Sequence, residues 1–279
     1  MKGLTKRIAT AVIFVLIMMG GLFGGRYPFT ILFAVINGLC LWEFLGLTLN
    51  QPQKKRDLVR KILGVVLGMA PFLFLAAIHL GWVARPDRLL ALSLLLVFPI
   101  IFLAFIYELY TRSEKPFSNL GLIILSVIYI GVPFALVNVL AFQENQFQST
   151  IIFSLLLLTW ANDTGAYFVG SKLGKTPLFP RISPKKTWEG SLGGLLVSLA
   201  LAAVLFKVYN QMSLADWLGL SVIISVFGSF GDLVESMLKR SLGKKDSGSL
   251  LPGHGGILDR FDGFIFMMPF VTSYLLLIR

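Results

Sequence analysis

Charge is what this 279-residue chain has least of: only 14% of its residues are Asp, Glu, Lys or Arg, where an ordinary soluble domain carries about 25%. That shortage excludes a conventional water-soluble surface. Cysteine is nearly absent too. The one copy, Cys40, excludes an intramolecular disulfide and a thiolate metal centre. Set inside an apolar run, it reads as a small buried hydrophobe rather than a reactive thiol. The sequence also lacks low-complexity tracts, convincing internal repeats and any hydrophilic linker long enough to hold a separate soluble domain.

What fills the chain instead is hydrocarbon. Hydrophobic residues make up 56% of it, in recurring apolar runs long enough to cross about 30 Å of bilayer core as helices. Because the pattern continues far beyond the N-terminus, a single signal peptide does not account for it. The expected class is all-α: a polytopic transmembrane helical protein with about nine spans, near residues 8–23, 28–49, 62–83, 89–110, 120–142, 150–170, 191–209, 214–235 and 261–278. The first two are separated by only four residues, 24–27, so a tight hairpin is required there. Residues 1–149 form an N-terminal membrane region of spans one to five. Residues 150–279 are expected to form a C-terminal region of spans six to nine with their polar loops.

Charge tests the span count. With nine spans, every basic residue except Arg26, Arg85, Arg88, Lys207 and Arg279 falls on the side of the N-terminus. Such asymmetry is the positive-inside pattern, and it places the N-terminus in the cytoplasm. The net charge of +11 is then explained by topology and by anionic lipid, leaving nucleic acid an unneeded partner. The two longest hydrophilic segments, 171–190 and 239–260, both fall on the cytoplasmic side.

Those segments adjoin unusual polar residues. Trp160-Ala-Asn-Asp-Thr-Gly-Ala-Tyr167 puts Asp163 inside an apolar span. An ionised carboxylate there normally faces a partner or a wet cavity; the plainer alternative is a solvated helix end. Further on, Ser183-Pro-Lys-Lys-Thr-Trp-Glu-Gly190 resembles a helix start at Pro184. Lys185 and Lys186 beside a helix N-terminus suit a polyphosphate. Basic loops also anchor membranes, and neither a P-loop nor a GxGxxG pattern is present to decide between these.

The second cassette is richer. In Gly231-Asp-Leu-Val-Glu-Ser-Met-Leu-Lys-Arg240, helical spacing sets Asp232, Glu235, Ser236 and Lys239 on one face. The chain continues through Lys244-Lys-Asp-Ser-Gly-Ser249 to Leu251-Pro-Gly-His-Gly-Gly-Ile-Leu-Asp-Arg-Phe-Asp-Gly263, where Asp259 and Asp262 share a helical face. Four carboxylates thus flank one glycine-rich loop, with Lys239, Lys245 and Arg260 interleaved. Oxygen ligands select hard cations, and Mg²⁺ binds through one or two carboxylates, phosphates and waters. Helix-end ion pairs explain one such pair but not the remaining acids and glycines. His254 is either a base or metal ligand, or a loop residue bonding backbone or phosphate. The glycines allow backbone to approach a ligand closely. His79, at a span end, reads as interfacial.

At this point the residues resemble a known family. Ser236-Met-Leu-Lys-Arg240, Lys245-Asp246, Pro252, His254-Gly-Gly256, Asp259-Arg260 and Asp262 match in order and spacing the signature of phosphatidate cytidylyltransferases, the CDP-diacylglycerol synthases. Asn162-Asp163 and 183–190 resemble that family's second characteristic stretch. The resemblance covers about residues 160–263, and the first five spans add only length and hydropathy.

The resemblance implies transfer of a cytidylyl group from CTP to phosphatidate, giving CDP-diacylglycerol and pyrophosphate. It implies a site on the cytoplasmic side of the inner or plasma membrane, among membrane lipids. Asp232 and Asp259 are expected to hold Mg²⁺, with a second cation left open. Asp262, Glu235, Asp246 and Asp163 are expected to orient that shell. Lys185, Lys186, Lys239, Lys245 and Arg260 are expected to bind phosphate. Ser236, Arg240, His254, Gly255 and Gly256 complete the substrate-binding set. A homodimer is neither required nor excluded.

Two rivals define what the resemblance must beat. A secondary ion-coupled transporter also places acids and broken helices in the membrane, but in two related halves. A kinase or related transferase acting on a lipid alcohol would share the Asp259–Asp262 spacing but not the whole cassette.

Overall fold

A computed structural model describes residues 2–49, 54–83, 86–143, 146–209, 211–250 and 255–278. Helices occupy each region expected to span. They are α1 (Lys2–Phe23), α2 (Arg26–Thr48), α3 (Lys54–His79), α4 (Pro86–Thr111), α5 (Pro116–Ala141), α6 (Thr150–Leu173), α7 (Trp188–Val208), α8 (Leu214–Ser241) and α9 (Leu258–Leu277). Among the described residues seven are long and apolar enough to cross a bilayer: α2, α3 from Arg56, and α5 to α9. The apolar parts of α1 and α4 found by the same test are shorter, Ala9–Phe23 and Pro99–Thr111. The protein is therefore a polytopic all-α integral membrane protein. Large apolar side chains such as Leu16, Ile31, Phe102, Leu109, Leu196 and Leu276 lie on outward faces, which is where hydrocarbon replaces water as solvent.

Local chemistry sets the helix ends. Gly25, with φ of 99°, makes the reversal between α1 and α2; a side chain there would be strained. Pro116 begins α5 in the position where proline's missing N–H costs nothing. Ser213 and Asp216 form a reciprocal capping box on α8. Thr187 caps α7 by accepting a hydrogen bond from Gly190 N. Two helices carry a π-helical turn, α5 at Val127–Gly131 and α8 at Ile224–Gly228. The second lies one turn before Asp232, and such bulges re-aim the residues that follow.

The chain divides into two compact units. One comprises Met1–Gln148 and Asp246–Leu258; the other comprises Ser149–Lys245 and Asp259–Arg279. In the first, Phe29, Phe33, Leu41, Phe44, Leu45, Phe72 and Phe134 are fully buried. Phe29, Phe142 and Phe147 cluster beside the short hairpin of β1 (Phe142–Gln143) and β2 (Gln146–Phe147), and His79 stacks on Phe142 at 5.1 Å. Cys40 is buried and free. Helix α3 meets the π turn of α5 where Gly131 lies flush against the backbone of Gly68. At one end of α3, a buried ionic network joins Arg60 to Glu108 (2.5 and 3.0 Å) and Asp57 (2.8 Å), with Thr111 and Asn119 completing it.

In the second unit α6 and α7 form the most extensive helix pair. Small residues permit it. A Cβ on Gly165 would meet Gly193 O at 2.9 Å, and one on Gly194 would meet Asn162 O at 2.6 Å. Close backbone approach through small residues is how helices associate where lipid removes the hydrophobic drive. Ser221 donates to Ser198 Oγ (2.8 Å), giving α7 and α8 a buried polar contact. Between α6 and α7 lies a hairpin of β3 (Pro177–Phe179) and β4 (Ser183–Thr187).

That hairpin corrects one expectation. Residues 183–187 do not start a helix at Pro184; they form β4, and α7 starts at Trp188. The cap decides it, because Thr187 is the residue with extended backbone whose side chain accepts from the first turn. Pro184 is tolerated in a two-stranded hairpin, where every strand is an edge.

Candidate active site

The second unit gathers most of the polar residues singled out above around the ends of α6, α8 and α9. Asp163 projects from α6, Asp232 and Glu235 from α8, and Asp259 and Asp262 from the first two turns of α9. Glycines bring α8 and α9 together. A Cβ on Gly231 would meet Asp262 O at 2.7 Å and Gly263 Cα at 2.8 Å, and one on Gly263 would meet Gly228 O at 3.0 Å. The acids next to these glycines, Asp232 after Gly231 and Asp262 before Gly263, are thereby brought near each other.

Two acid–base groups result. In one, Lys186 Nζ of β4 donates to Asp232 Oδ2 at 2.5 Å. Asp262 lies within electrostatic reach of Asp232 and accepts a hydrogen bond from Gly263 N at 2.8 Å. Asp163 lies within electrostatic reach of Asp232, Lys186 and Arg260. In the other, Lys239 Nζ donates to Glu235 Oε2, one turn earlier on α8, and to Asp259 Oδ1 at 2.6 Å. The Glu235 side chain is fully buried there.

A cleft of about 610 Å³ opens onto the first group. Asn162, Asp163, Tyr167, Lys185, Lys186, Ser229 and Asp232 line it, together with Gly170, Gly174 and Gly190. Lys185 is exposed to solvent, while Lys186 and Asp232 are half-buried. Glu189, in the first turn of α7, accepts from the backbone N–H groups of Lys175 and Thr176 (3.1 to 3.2 Å) and so fixes the turn that leads into the hairpin. Lysines and carboxylates lining one cleft are the side-chain chemistry that can bind phosphates together with a cation.

The remaining expected site residues fall as follows. Ser236 is half-buried on α8, and Arg240, at its end, reaches Lys244 O (3.4 Å). Lys245 is exposed at the end of the second unit. Asp246, Gly255 and Gly256 belong to the first unit, with Asp246 exposed and Gly255 at φ of 82°. Pro252 and His254 lie outside the described residues. Asp259, expected beside Asp232 on a shared cation, accepts a hydrogen bond from Lys239 (2.6 Å), while Asp262 is the α9 carboxylate within electrostatic reach of Asp232. The reason is helical phase: Asp259 and Asp262 share a face but lie nearly a turn apart, so each meets a different level of α8.

Sequence reasoning missed Glu43. It sits in α2, a span credited only with length, and its carboxylate is buried in contact with the loop Asp246–Leu258. The signal was available: an acid inside an apolar span, the same rule that marked Asp163.

The family model described as the Cytidylyltransferase family matches residues 5–278. The chain belongs to that family. It is 37% identical over 279 residues to a phosphatidate cytidylyltransferase of Bacillus subtilis (strain 168), covering 99% of both chains. It is 35% identical over 273 residues to a phosphatidate cytidylyltransferase of Staphylococcus aureus (strain COL), covering 97% of this chain and 98% of the relative. As a cytidylyltransferase-family member the protein is a nucleotidyl-transferring enzyme, which the transporter reading is not. Family membership also extends the resemblance over the N-terminal helices, including the α2 segment that carries Glu43.

Proposed function

We propose that this membrane enzyme transfers a cytidylyl group from CTP to phosphatidate, releasing pyrophosphate and leaving CDP-diacylglycerol in the bilayer. One observation within the molecule carries the reading: the cleft that sets Lys185 and Lys186 against Asp163 and Asp232, at the polar ends of otherwise apolar helices. The names of the two relatives supply the substrates.

The chemistry asks little of an acid or base. A phosphate oxygen of phosphatidate, already anionic at neutral pH, attacks the α-phosphorus of CTP. A new P–O bond forms as the bond from that phosphorus to the bridging β-phosphate oxygen breaks, and pyrophosphate departs with the electron pair. The obstacle is the approach of two anions and the charge that builds on the leaving group. Positioning and preorganised charge therefore supply most of the catalysis.

In this assignment Lys185 and Lys186 bind the triphosphate at the cleft wall. Arg260 and Lys245 add positive charge toward the phosphates, and Lys239 keeps Asp259 and Glu235 in place. Asp163 orients Lys186 and the solvent in the cleft. A Mg²⁺ ion suits the acids present: Asp262 lies within electrostatic reach of Asp232, and neighbouring like charges favour a cation or a proton between them. No set of three acidic, histidine or cysteine side chains able to hold a metal converges among the described residues. Two carboxylates with substrate phosphates and waters completing the shell is the usual arrangement for Mg²⁺. Asp232 and Asp262 would hold it, in place of the Asp232–Asp259 pair expected from sequence. Bound there, the ion would neutralise charge on the triphosphate.

The basic-loop asymmetry supports a cytoplasmic location for the cleft, facing CTP, in the plasma membrane of the cell. The deciding experiment is purified protein in detergent with phosphatidate and each of four labelled nucleoside triphosphates. CTP alone is expected to give a lipid-soluble nucleotide product and pyrophosphate in equal amounts. Equal turnover of all four, or none with phosphatidate, would reject the reading.

A further inference from the structure

Glu43 is an acid where the described membrane reaction has no use for one. It lies in α2 and is 7% exposed. Its Oε2 accepts two hydrogen bonds: from Ser247 Oγ (3.2 Å) and from the backbone N–H of Leu258 (2.9 Å). These donors, Ser247 and Leu258, lie on either side of residues 248–257, so a single carboxylate oxygen ties the two together. Two glycines fit against the same group. A Cβ on Gly248 would meet Glu43 Oε1 at 2.5 Å and Cδ at 2.8 Å. One on Gly256 would collide with Ser247 Oγ and Glu43 Oε2 and lie 2.8 Å from Cδ. For Gly256 the observed close approach is thus to Glu43.

We infer that Glu43 is a positioning residue for cytidylyl transfer, tying Ser247 to Leu258 and fixing the start of α9, and so the aspartates of its first turns. Leu258 is the first residue of α9, and its N–H is one of the amides a helix leaves without an internal partner. A carboxylate there satisfies that amide and favours the positive end of the helix. Asp259 follows Leu258 directly and Asp262 comes one turn later, so anchoring this amide sets the phase of both along α9. Both partners donate to this carboxylate, one through an O–H and one through a backbone N–H. The cost of burying an acid in an apolar span is offset only when such partners are held in place, so loop and carboxylate fix each other.

The kinetic part of this inference rests on the proposed reaction; the structural part does not. The test uses the full chain in detergent, with Glu43→Ala, Glu43→Gln, Gly256→Ala and the Glu43→Ala/Gly256→Ala double variant. Hydrogen–deuterium exchange over 246–262 is measured beside kcat and the KM for CTP. Loss of an orienting contact to a metal or active-site shell lowers activity about 10- to 100-fold. That loss is expected in kcat for Glu43→Ala, with KM for CTP nearly unchanged, faster exchange in 246–262 and unaltered exchange in α3.

Glu43→Gln keeps the volume and one acceptor, so it is expected to fold like the parent with an intermediate kcat. Gly256→Ala should impair the parent but add little to Glu43→Ala, because the shortened side chain vacates the space the methyl needs; coupled sites depart from additivity in this way. Full activity and unchanged loop exchange in Glu43→Gln and Glu43→Ala would overturn the inference. So would fully additive losses in the double variant. If the parent enzyme does not use CTP, the proposed reaction fails, and the exchange and coupling results still judge the Glu43 tie between Ser247 and Leu258.

Discussion

Lys186 and Asp232, forty-six residues apart in the chain, meet at 2.5 Å between Nζ and Oδ2 at the base of the cleft. Neither residue faces the other by secondary structure alone. β4 ends just before α7, Asp232 follows the π turn of α8, and the packing of α6 to α8 closes the distance. The pair leaves both side chains partly exposed, and both line the cleft.

Lys186→Ala is expected to raise the KM for CTP and lower kcat/KM by about 100-fold, in line with the loss of a group stabilising transition-state charge. Lys186→Arg should recover part of it, since the charge returns with a different shape. Steady-state kinetics over a CTP series checks both. An unchanged kcat/KM in Lys186→Ala would remove Lys186 from the site.

Chelation by EDTA is expected to abolish turnover, and Mg²⁺ to restore it. Asp262→Asn should raise the Mg²⁺ concentration required for half-maximal rate by about 10-fold or more, as loss of a ligand does. Asp259→Asn should lower kcat with a smaller change in that requirement, because its charge is matched by Lys239. Magnesium titrations of the two variants side by side distinguish them, and the reverse order would restore Asp259 as the ligand.

Gly231→Ala tests the approach of α8 to α9. The methyl would lie 2.7 Å from Asp262 O and 2.8 Å from Phe266 Cβ. Overpacking of this kind costs about 1–3 kcal/mol, and here it would also part Asp232 from Asp262. A lowered melting temperature with a larger proportional loss of kcat is the expected result, measured by thermal denaturation and turnover on one preparation.

Arg60→Met should act on stability alone. Arg60 is 2% exposed and bonds both Glu108 and Asp57, so its removal strands two buried acids at a cost of about 3–5 kcal/mol. The melting temperature is expected to fall while the KM for CTP of the surviving enzyme holds. Replacing Glu108 by Leu in the same chain should return part of the loss. Melting curves of the single and double variants decide it.

Topology has its own test. In a Cys40→Ser background, Lys172→Cys is expected to react with an impermeant maleimide only when the cytoplasmic face is open. Labelling of intact cells from outside would reverse the orientation derived from the basic loops.

The amino-acid sequence determined the helices and much of the chemistry by itself. Apolar runs of bilayer length must become helices in lipid, since no other open structure satisfies the backbone there, and α1 to α9 fall where those runs lie. The resemblance carried by residues 160–263 gave the reaction class because spacing within a single helix is legible: Glu235 and Lys239 pair at i, i+4 as their positions require. Tertiary structure decided what local spacing cannot. Which aspartate of α9 lies near Asp232 depends on how closely Gly231 lets two helices approach and on their relative phase. Whether 183–187 is helix or strand depended on a pairing with 177–179 and on the Thr187 cap. The contact of Glu43 with Ser247 and Leu258 spans more than two hundred residues, and no periodicity in the sequence encodes which distant amide a buried acid will find.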